Sequence, residues 1–299
     1  MRRSALGLAL LAASGVACKR AETTSQTHAP SASASAARPD ARAPSAAALA
    51  QGVPLPAERI ASAVNPKRLA AYSGPVGSVH GTVRIKGDRA PVNTSLPIQP
   101  GCTLSRDMYG PLFREGMQRA AADVLVTVTG YEGYVPAREP GQQVEASGCA
   151  WNKRTLALTF GQRLEVVSKD RQSYMPRLLG ARILANLVLV PGGDPIRLYP
   201  EQPGRYELKD TFHENMSAEV FVVKFATFDV TGLDGTYEIT GIPAGDVTLS
   251  AFLPAAQQVS EKKLQVKANT ALELDIELPF DRKAWEKQLR ARKEPPQKP

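Results

Sequence analysis

The sequence holds few side chains able to do chemistry. Its thiols are Cys18, Cys102 and Cys149, and its imidazoles are His28, His80 and His213. Acid–base work near neutral pH would therefore fall mainly to carboxylates, and no spacing among the 29 Asp and Glu residues singles out a pair. There is no H-E-x-x-H helix to hold zinc, no paired C-x-x-C, no G-x-S-x-G nucleophile turn and no phosphate-cradling P-loop. Gly192-Gly193-Asp194-Pro195 reads as an ordinary turn, and Tyr199 to Gly204 as a connecting loop. The pattern argues against an enzyme and leaves binding or structural roles.

The cysteines are best read with their surroundings. Arg2 and Arg3 precede an apolar run from Leu6 to Val16 that is too short to span a bilayer. The run ends in Gly15-Val16-Ala17-Cys18, which resembles a bacterial lipobox, with Gly15 where that pattern prefers Leu. The resemblance implies cleavage before Cys18, lipidation of its thiol and a protein tethered to a membrane instead of spanning it. Lys19 follows the cysteine, which by the enteric sorting rule implies the outer membrane of the cell envelope. With Cys18 acylated, Cys102 and Cys149 are left over, and in an exported chain two such thiols most simply form a disulfide. The alternative is that one of them binds a metal.

The elements that would position these residues are mostly strands. Ala21 to about Gln51 is Ala-, Ser-, Thr- and Pro-rich and reads as a flexible tether, so His28 within it is given no chemistry. Setting signal, tether and tail aside leaves roughly 225 residues, enough for one large or two small domains. Short helices are expected around Pro56 to Ala63 and Pro66 to Ala71. After Gly74-Pro75 the β-rich runs begin: Val79 to Ile85, Asp123 to Thr129, Thr155 to Phe160, Arg163 to Val167, Ala181 to Val190, Arg205 to Leu208 and Ala218 to Phe228. Gly, Pro and Asp punctuate them at short spacing, which predicts an antiparallel sandwich or barrel. Asp281 to Lys293 reads as a short charged helix docked by Trp285, with Leu289 on the same face. The net charge of +8 lies largely in the signal and the tail, and aromatics are 6% of the chain and not interleaved with Lys and Arg. Nucleic acid is therefore not an expected partner.

Two stretches resemble known families. Thr227 to Ala251, with Asp234-Gly235 turning into Thr236 to Thr240 and Pro243-Ala244-Gly245 turning into Val247 to Phe252, is similar to the second half of a carboxypeptidase-regulatory-like, transthyretin-like β-sandwich. Val259 to Val266 and Ala271 to Leu278 would complete its sheet. The stretch before it resembles a secreted cupredoxin-like domain. Gly148-Cys149-Ala150-Trp151 stands where that family has a cysteine before a strand. Gly161 to Asp170 resembles its G-Q-x-[VL]-x-[VIF]-x-N-x-D segment, and His213-Glu214-Asn215-Met216 its C-x-x-H-x-x-M copper loop. A blue-copper site needs two imidazoles, a thiolate and a weak axial ligand such as Met. Here Tyr174 occupies the first histidine position and Asp210 the cysteine position, so only His213 and Met216 persist. The resemblance thus implies the fold with its copper site lost. His213 is then expected to be a backbone-bonding loop residue and Met216 part of the core.

Together these readings give an all-β chain, a cupredoxin-like Greek-key sandwich followed by a transthyretin-like β-sandwich. Its parts are a lipoprotein signal peptide (1–17), a tether (18–53), a helical lead-in (54–75), a degenerate cupredoxin-like domain (76–226), a carboxypeptidase-regulatory-like module (227–280) and a charged tail (281–299). The expected role is non-enzymatic binding or scaffolding in the envelope, with a protein or polysaccharide as partner, the membrane reached through Cys18, and no cofactor. One rival is a periplasmic copper or electron-transfer protein using His213, Met216 and one cysteine. The other is an accessory subunit of an envelope hydrolase.

Overall fold

Alternating apolar residues write two separate cores into the chain. The computed structural model describes residues 50–182 and 184–293. Cys18, the signal peptide, most of the tether and the last residues of the tail lie outside the described residues. In chain order the elements are β1 (Ala50–Gln51), α1 (Ala57–Val64), β2 (Val76–Gly87), α2 (Ser105–Tyr109), β3 (Leu125–Thr129), β4 (Gly141–Ser147), β5 (Ala150–Trp151), β6 (Thr155–Thr159), β7 (Arg163–Ser168), β8 (Pro176–Leu179), β9 (Ile196–Leu198), β10 (Gly204–Asp210), β11 (Ser217–Val223), β12 (Phe228–Val230), β13 (Thr236–Pro243), β14 (Gly245–Leu253), β15 (Gln258–Val266), β16 (Ala271–Glu273), β17 (Ile276–Phe280) and α3 (Arg282–Lys293).

The first sandwich faces sheet β1-β9-β7-β4-β5 against sheet β6-β11-β10-β8. Period-two alternation explains its core. Val220 and Val222 on β11, Tyr206 and Leu208 on β10, and Leu164 and Val166 on β7 point inward around Trp151 and Tyr174. The expected antiparallel arrangement is only part of the result, since β4 pairs with β7 and β6 with β11 in parallel. The parallel pairs arise because β6, between β4 and β7 in sequence, belongs to the opposite sheet, so the chain crosses over and back. Strand β6 ends its sheet, yet all its residues are buried because β3 and β12 of the second sandwich cover that edge. The end of the predicted tether is built in as well: Gln51 is buried and exchanges two 3.0 Å hydrogen bonds with the Leu178 backbone.

The second sandwich corrects the domain boundaries. Strand β2 pairs with β13, β16 and β17, and β3 pairs with β12 and β14. Residues 76–87 and 125–129, read from sequence as the start of the cupredoxin-like domain, thus complete the sandwich of the module predicted at 227–280. The apolar faces decide this. Val79, Val83 and Ile85 of β2 are buried with Tyr237, Ile239, Leu249 and Leu278. Apart from β1, the strands of the first sandwich form an insertion between β3 and β12. At Gly81 an added Cβ would lie 2.1 Å from the Leu274 carbonyl oxygen, so only glycine lets the β16–β17 break cross β2 there. At that break Asp275 accepts the Thr82 N–H at 2.8 Å.

Three other expectations change. Residues 66–71 form no helix. Among the described residues the run from Ala181 to Val190 makes only two isolated bridges, Leu179 with Ala181 and Tyr174 with Leu189, and Leu184, Val188 and Val190 stay exposed. Residues 271–278 are two strands separated at Leu274-Asp275. The tail helix does dock as predicted, with the Trp285 ring 6.4 Å from that of Phe280. Among the described residues no helix is long and apolar enough to cross a membrane.

Candidate functional site

The loop end of the first sandwich gathers most of the residues singled out from sequence. Strands β4 and β5 pair Ser147 with Ala150, leaving a two-residue turn, Gly148-Cys149, with φ of 54° and 57°. Such a turn wants two left-handed residues, and a cysteine in the second position is held there against its preference. Gly148 is required on space as well: an added Cβ would lie 2.7 Å from Thr103 Oγ1 and 2.8 Å from Leu104 Cγ. This close approach brings the turn against the segment carrying Cys102. The two cysteines form a disulfide with Cα atoms 4.8 Å apart, the pairing expected from cysteine arithmetic.

Two carboxylates fix the loops around that bridge. Asp170, the last residue of the Gly161–Asp170 motif, accepts hydrogen bonds from Gly148 N (2.6 Å), Gln172 N (2.9 Å) and the Tyr174 hydroxyl (2.8 Å). Asp210, at the end of β10, is buried. It accepts bonds from Met175 N (2.5 Å), Phe212 N (3.0 Å) and His213 N (2.9 Å), and its Oδ1 lies 2.8 Å from His213 Nδ1. The Tyr174 phenol is pushed well above its ordinary pKa, first by burial and then by its bond to Asp170. Met216 is fully buried, and its N–H donates to the His213 carbonyl at 2.9 Å. Earlier in the motif, Gln162 braces its own loop by accepting the Thr159 N–H at 2.7 Å and donating to the Glu139 carbonyl at 2.8 Å.

This geometry does not fit a blue-copper centre. The two positions that differ from the copper pattern, Tyr174 and Asp210, are spent on internal hydrogen bonds, and the nearby sulfurs are joined to each other instead of offering a thiolate. His213 is nevertheless more than a loop residue that bonds backbone. Its ring bonds a carboxylate and comes together with Cys102 and Cys149, the ligand atoms of all three lying within 4.8 Å of one another. Sequence reasoning joined His213 with Met216 and one cysteine in its copper alternative, but did not place both cysteines with His213. The signal that would have joined them is the Gly148-Cys149 turn, which forces one sulfur to the same end of the sandwich as the His213 loop. A cavity of about 180 Å³ opens onto the cluster, lined by Pro97, Gln99, Cys102, Cys149, His213 and Glu214.

A larger cleft, about 350 Å³, lies where the two sandwiches meet. Arg114 grips Asp123 in a two-pronged ion pair with both contacts at 2.7 Å. The Arg154 backbone N–H also donates to Asp123, at 2.8 Å, and its guanidinium donates to the Pro111 carbonyl at 2.9 Å. Burial lowers the Arg154 pKa, with Asp123 opposing that shift. Tyr109, on the same wall, is raised above the ordinary phenol range by burial. Phe113 and Leu253 supply apolar wall, while Glu207, Lys209 and Glu214 bring charge to the lining. Nothing in the sequence pattern pointed to this cleft, because its residues come from strands of both sandwiches.

No protein-family model matches the chain, and no curated protein matches it. Among solved structures it is similar to amicyanin from Paracoccus versutus (Thiobacillus versutus), at 15% identity over 32% of this chain and 96% of that one, with a TM-score of 0.25. It is also similar to a pseudoazurin from Sinorhizobium meliltoi, at 18% identity over 27% of this chain and 72% of that one, with a TM-score of 0.24. A Cu-containing nitrite reductase from Thermus scotoductus SA-01 matches at 17% identity over 31% and 24% of the two chains, with a TM-score of 0.24. Likenesses this weak decide nothing about fold or function.

Proposed function

We propose that this chain is a non-enzymatic, lipid-anchored envelope protein that binds a protein or polysaccharide partner in the cleft between its two sandwiches. The observation that carries the reading is the cleft itself. It has room for a side chain or sugar ring, apolar wall at Phe113 and Leu253, and charges of both signs at Glu207, Lys209 and Glu214. The strongest charges near it, Arg114, Asp123 and Arg154, are committed to one another and to backbone, which suits a rigid wall better than a reacting group. The anchor would be Cys18, and Cys18→Ser should abolish lipid labelling and release the protein from membranes; unchanged labelling would sink the anchor. For the cleft, the full chain is incubated with isolated cell-wall polysaccharide and, separately, with detergent-solubilised envelope protein. Retention by one of them, lowered about tenfold (1.4 kcal/mol) in Lys209→Glu/Glu214→Lys, supports the reading. Equal retention of variant and wild type, or none by either, argues against the cleft.

A copper or electron-transfer role keeps one observation in its favour, the convergence of His213 with the two cysteines. The oxidised protein should give no intense visible band with Cu(II), because no thiolate is available for charge transfer. A strong band lost in His213→Ala would move the assignment to that class.

A further inference from the structure

We propose that the Cys102–Cys149 disulfide is a latch over a second kind of site: once reduced, Cys102, Cys149 and His213 together bind one thiophilic d10 cation, Zn(II) or Cu(I). This goes beyond partner binding at the cleft and does not depend on it. The ligand set also differs from the copper pattern in the sequence, since Tyr174 and Asp210 contribute no ligand.

Four observations meet at this point. The donor atoms of the three residues already lie within 4.8 Å of one another. Ligands at about 2.0–2.3 Å from a common zinc ion stand roughly 3.5–3.8 Å apart, so closing the site takes side-chain movements of about an ångström. Asp210 holds His213 through Nδ1 at 2.8 Å, which leaves Nε2 as the free ring donor. A carboxylate behind a histidine in this way orients the ring and raises its basicity, as it does behind metal-bound histidines. The Cys149 sulfur is fixed at a turn whose residues are in the left-handed region, tied down through Gly148 N to Asp170. Such a turn keeps the sulfur in place after the bridge opens. Finally, the 180 Å³ cavity with Glu214 on its wall provides a route for an ion to reach the cluster.

The chemistry balances with a dithiol as reductant. It delivers two electrons and two protons, the S–S bond breaks to give two thiols, and the dithiol becomes a disulfide. Metal binding then releases the two thiol protons, and two thiolate lone pairs with that of Nε2 form three bonds to the ion. In the reverse direction a small-molecule disulfide is the oxidant: it takes two electrons from the two thiolates and two protons from solvent, leaves as two thiols, and the re-formed Cys102–Cys149 S–S bond releases the ion. The site is thereby loaded only when thiol reductant is available.

The test uses the full chain, reduced with a phosphine that is then removed, and titrated with Co(II) as a coloured stand-in for Zn(II). One equivalent should develop thiolate-to-cobalt charge-transfer absorption that Zn(II) abolishes on displacing the cobalt, while the oxidised protein gives none. Cys102→Ser and Cys149→Ser should each remove most of that absorption. His213→Ala keeps the bridge in the oxidised protein and should weaken Zn(II) binding by about a hundredfold or more. No charge-transfer absorption in the reduced wild type overturns the proposal, as does unchanged affinity in His213→Ala. Loss of the β-sheet circular dichroism signal on reduction overturns it too, because a latch requires a fold that survives its opening.

Discussion

In the first sandwich, Asp210 gathers four hydrogen bonds and Asp170 three, all from loop backbone or from Tyr174 and His213. In the second, the Asp234-Gly235 turn leads from β12 into β13, and the core from Val79 to Phe280 is dominated by aliphatic side chains. The contrast separates two jobs. Loops pinned by such carboxylates can hold cysteine, histidine and tyrosine side chains in one arrangement. A sandwich held by apolar packing and tight turns offers shape and a wall, as it does at the cleft.

If that division is right, Asp210→Ala gives the largest loss. It strips partners from three backbone N–H groups and the His213 ring, at about 1–3 kcal/mol for each group left unsatisfied. Even at the lower figure the four groups sum to about 4 kcal/mol, and at least that loss is expected in denaturant unfolding of the full chain. A loss below about 1 kcal/mol would mean the polar knot holds nothing and the contrast fails. Leu278→Ala comes next, at roughly 2–5 kcal/mol for a fully buried leucine. Its value lies in where the loss falls. Hydrogen exchange should quicken first in β2, β13 and β17 and stay slow in β10 and β11; even acceleration everywhere would show that the two sandwiches open as one.

The smallest effect is alkaline. Burial, with help from Asp170, raises the Tyr174 pKa in the folded state. The stability it contributes is therefore complete below the ordinary phenol value of about 10 and is lost as pH climbs above it. Tyr174→Phe should flatten the decline of melting temperature above about pH 10. An unchanged slope would assign the decline to the other tyrosines that burial raises, Tyr109, Tyr131, Tyr206 and Tyr237.

Much of the strand pattern was legible from the sequence. β6, β7, β13, β14 and β15 fall within a residue or a few of the predicted runs, because alternation and turn residues act locally. β4 was not foreseen: Gly141 to Ser147 is mostly polar, and only Val144 and Ala146 face the core. The ownership of β2 and β3 was invisible for a different reason. Alternation tells which face of a strand is buried but not against which partner, and β2 finds its partners far along the chain. At the site, cysteine arithmetic reached the disulfide, while the approach of His213 depends on Asp210, which had been weighed only as a missing ligand.

The pairing of β2 has a consequence in time. Thr82 bonds a residue 193 positions later, so β2 is synthesised long before β13, β16 and β17 exist. Until then its apolar face and both its edges are open, while the inserted sandwich has nearly all of its strands and can form. Such late, non-local closure slows folding and leaves a pairing-prone strand exposed. The second edge of β2 is shielded only once Ala271 to Glu273 and Ile276 to Phe280 have arrived.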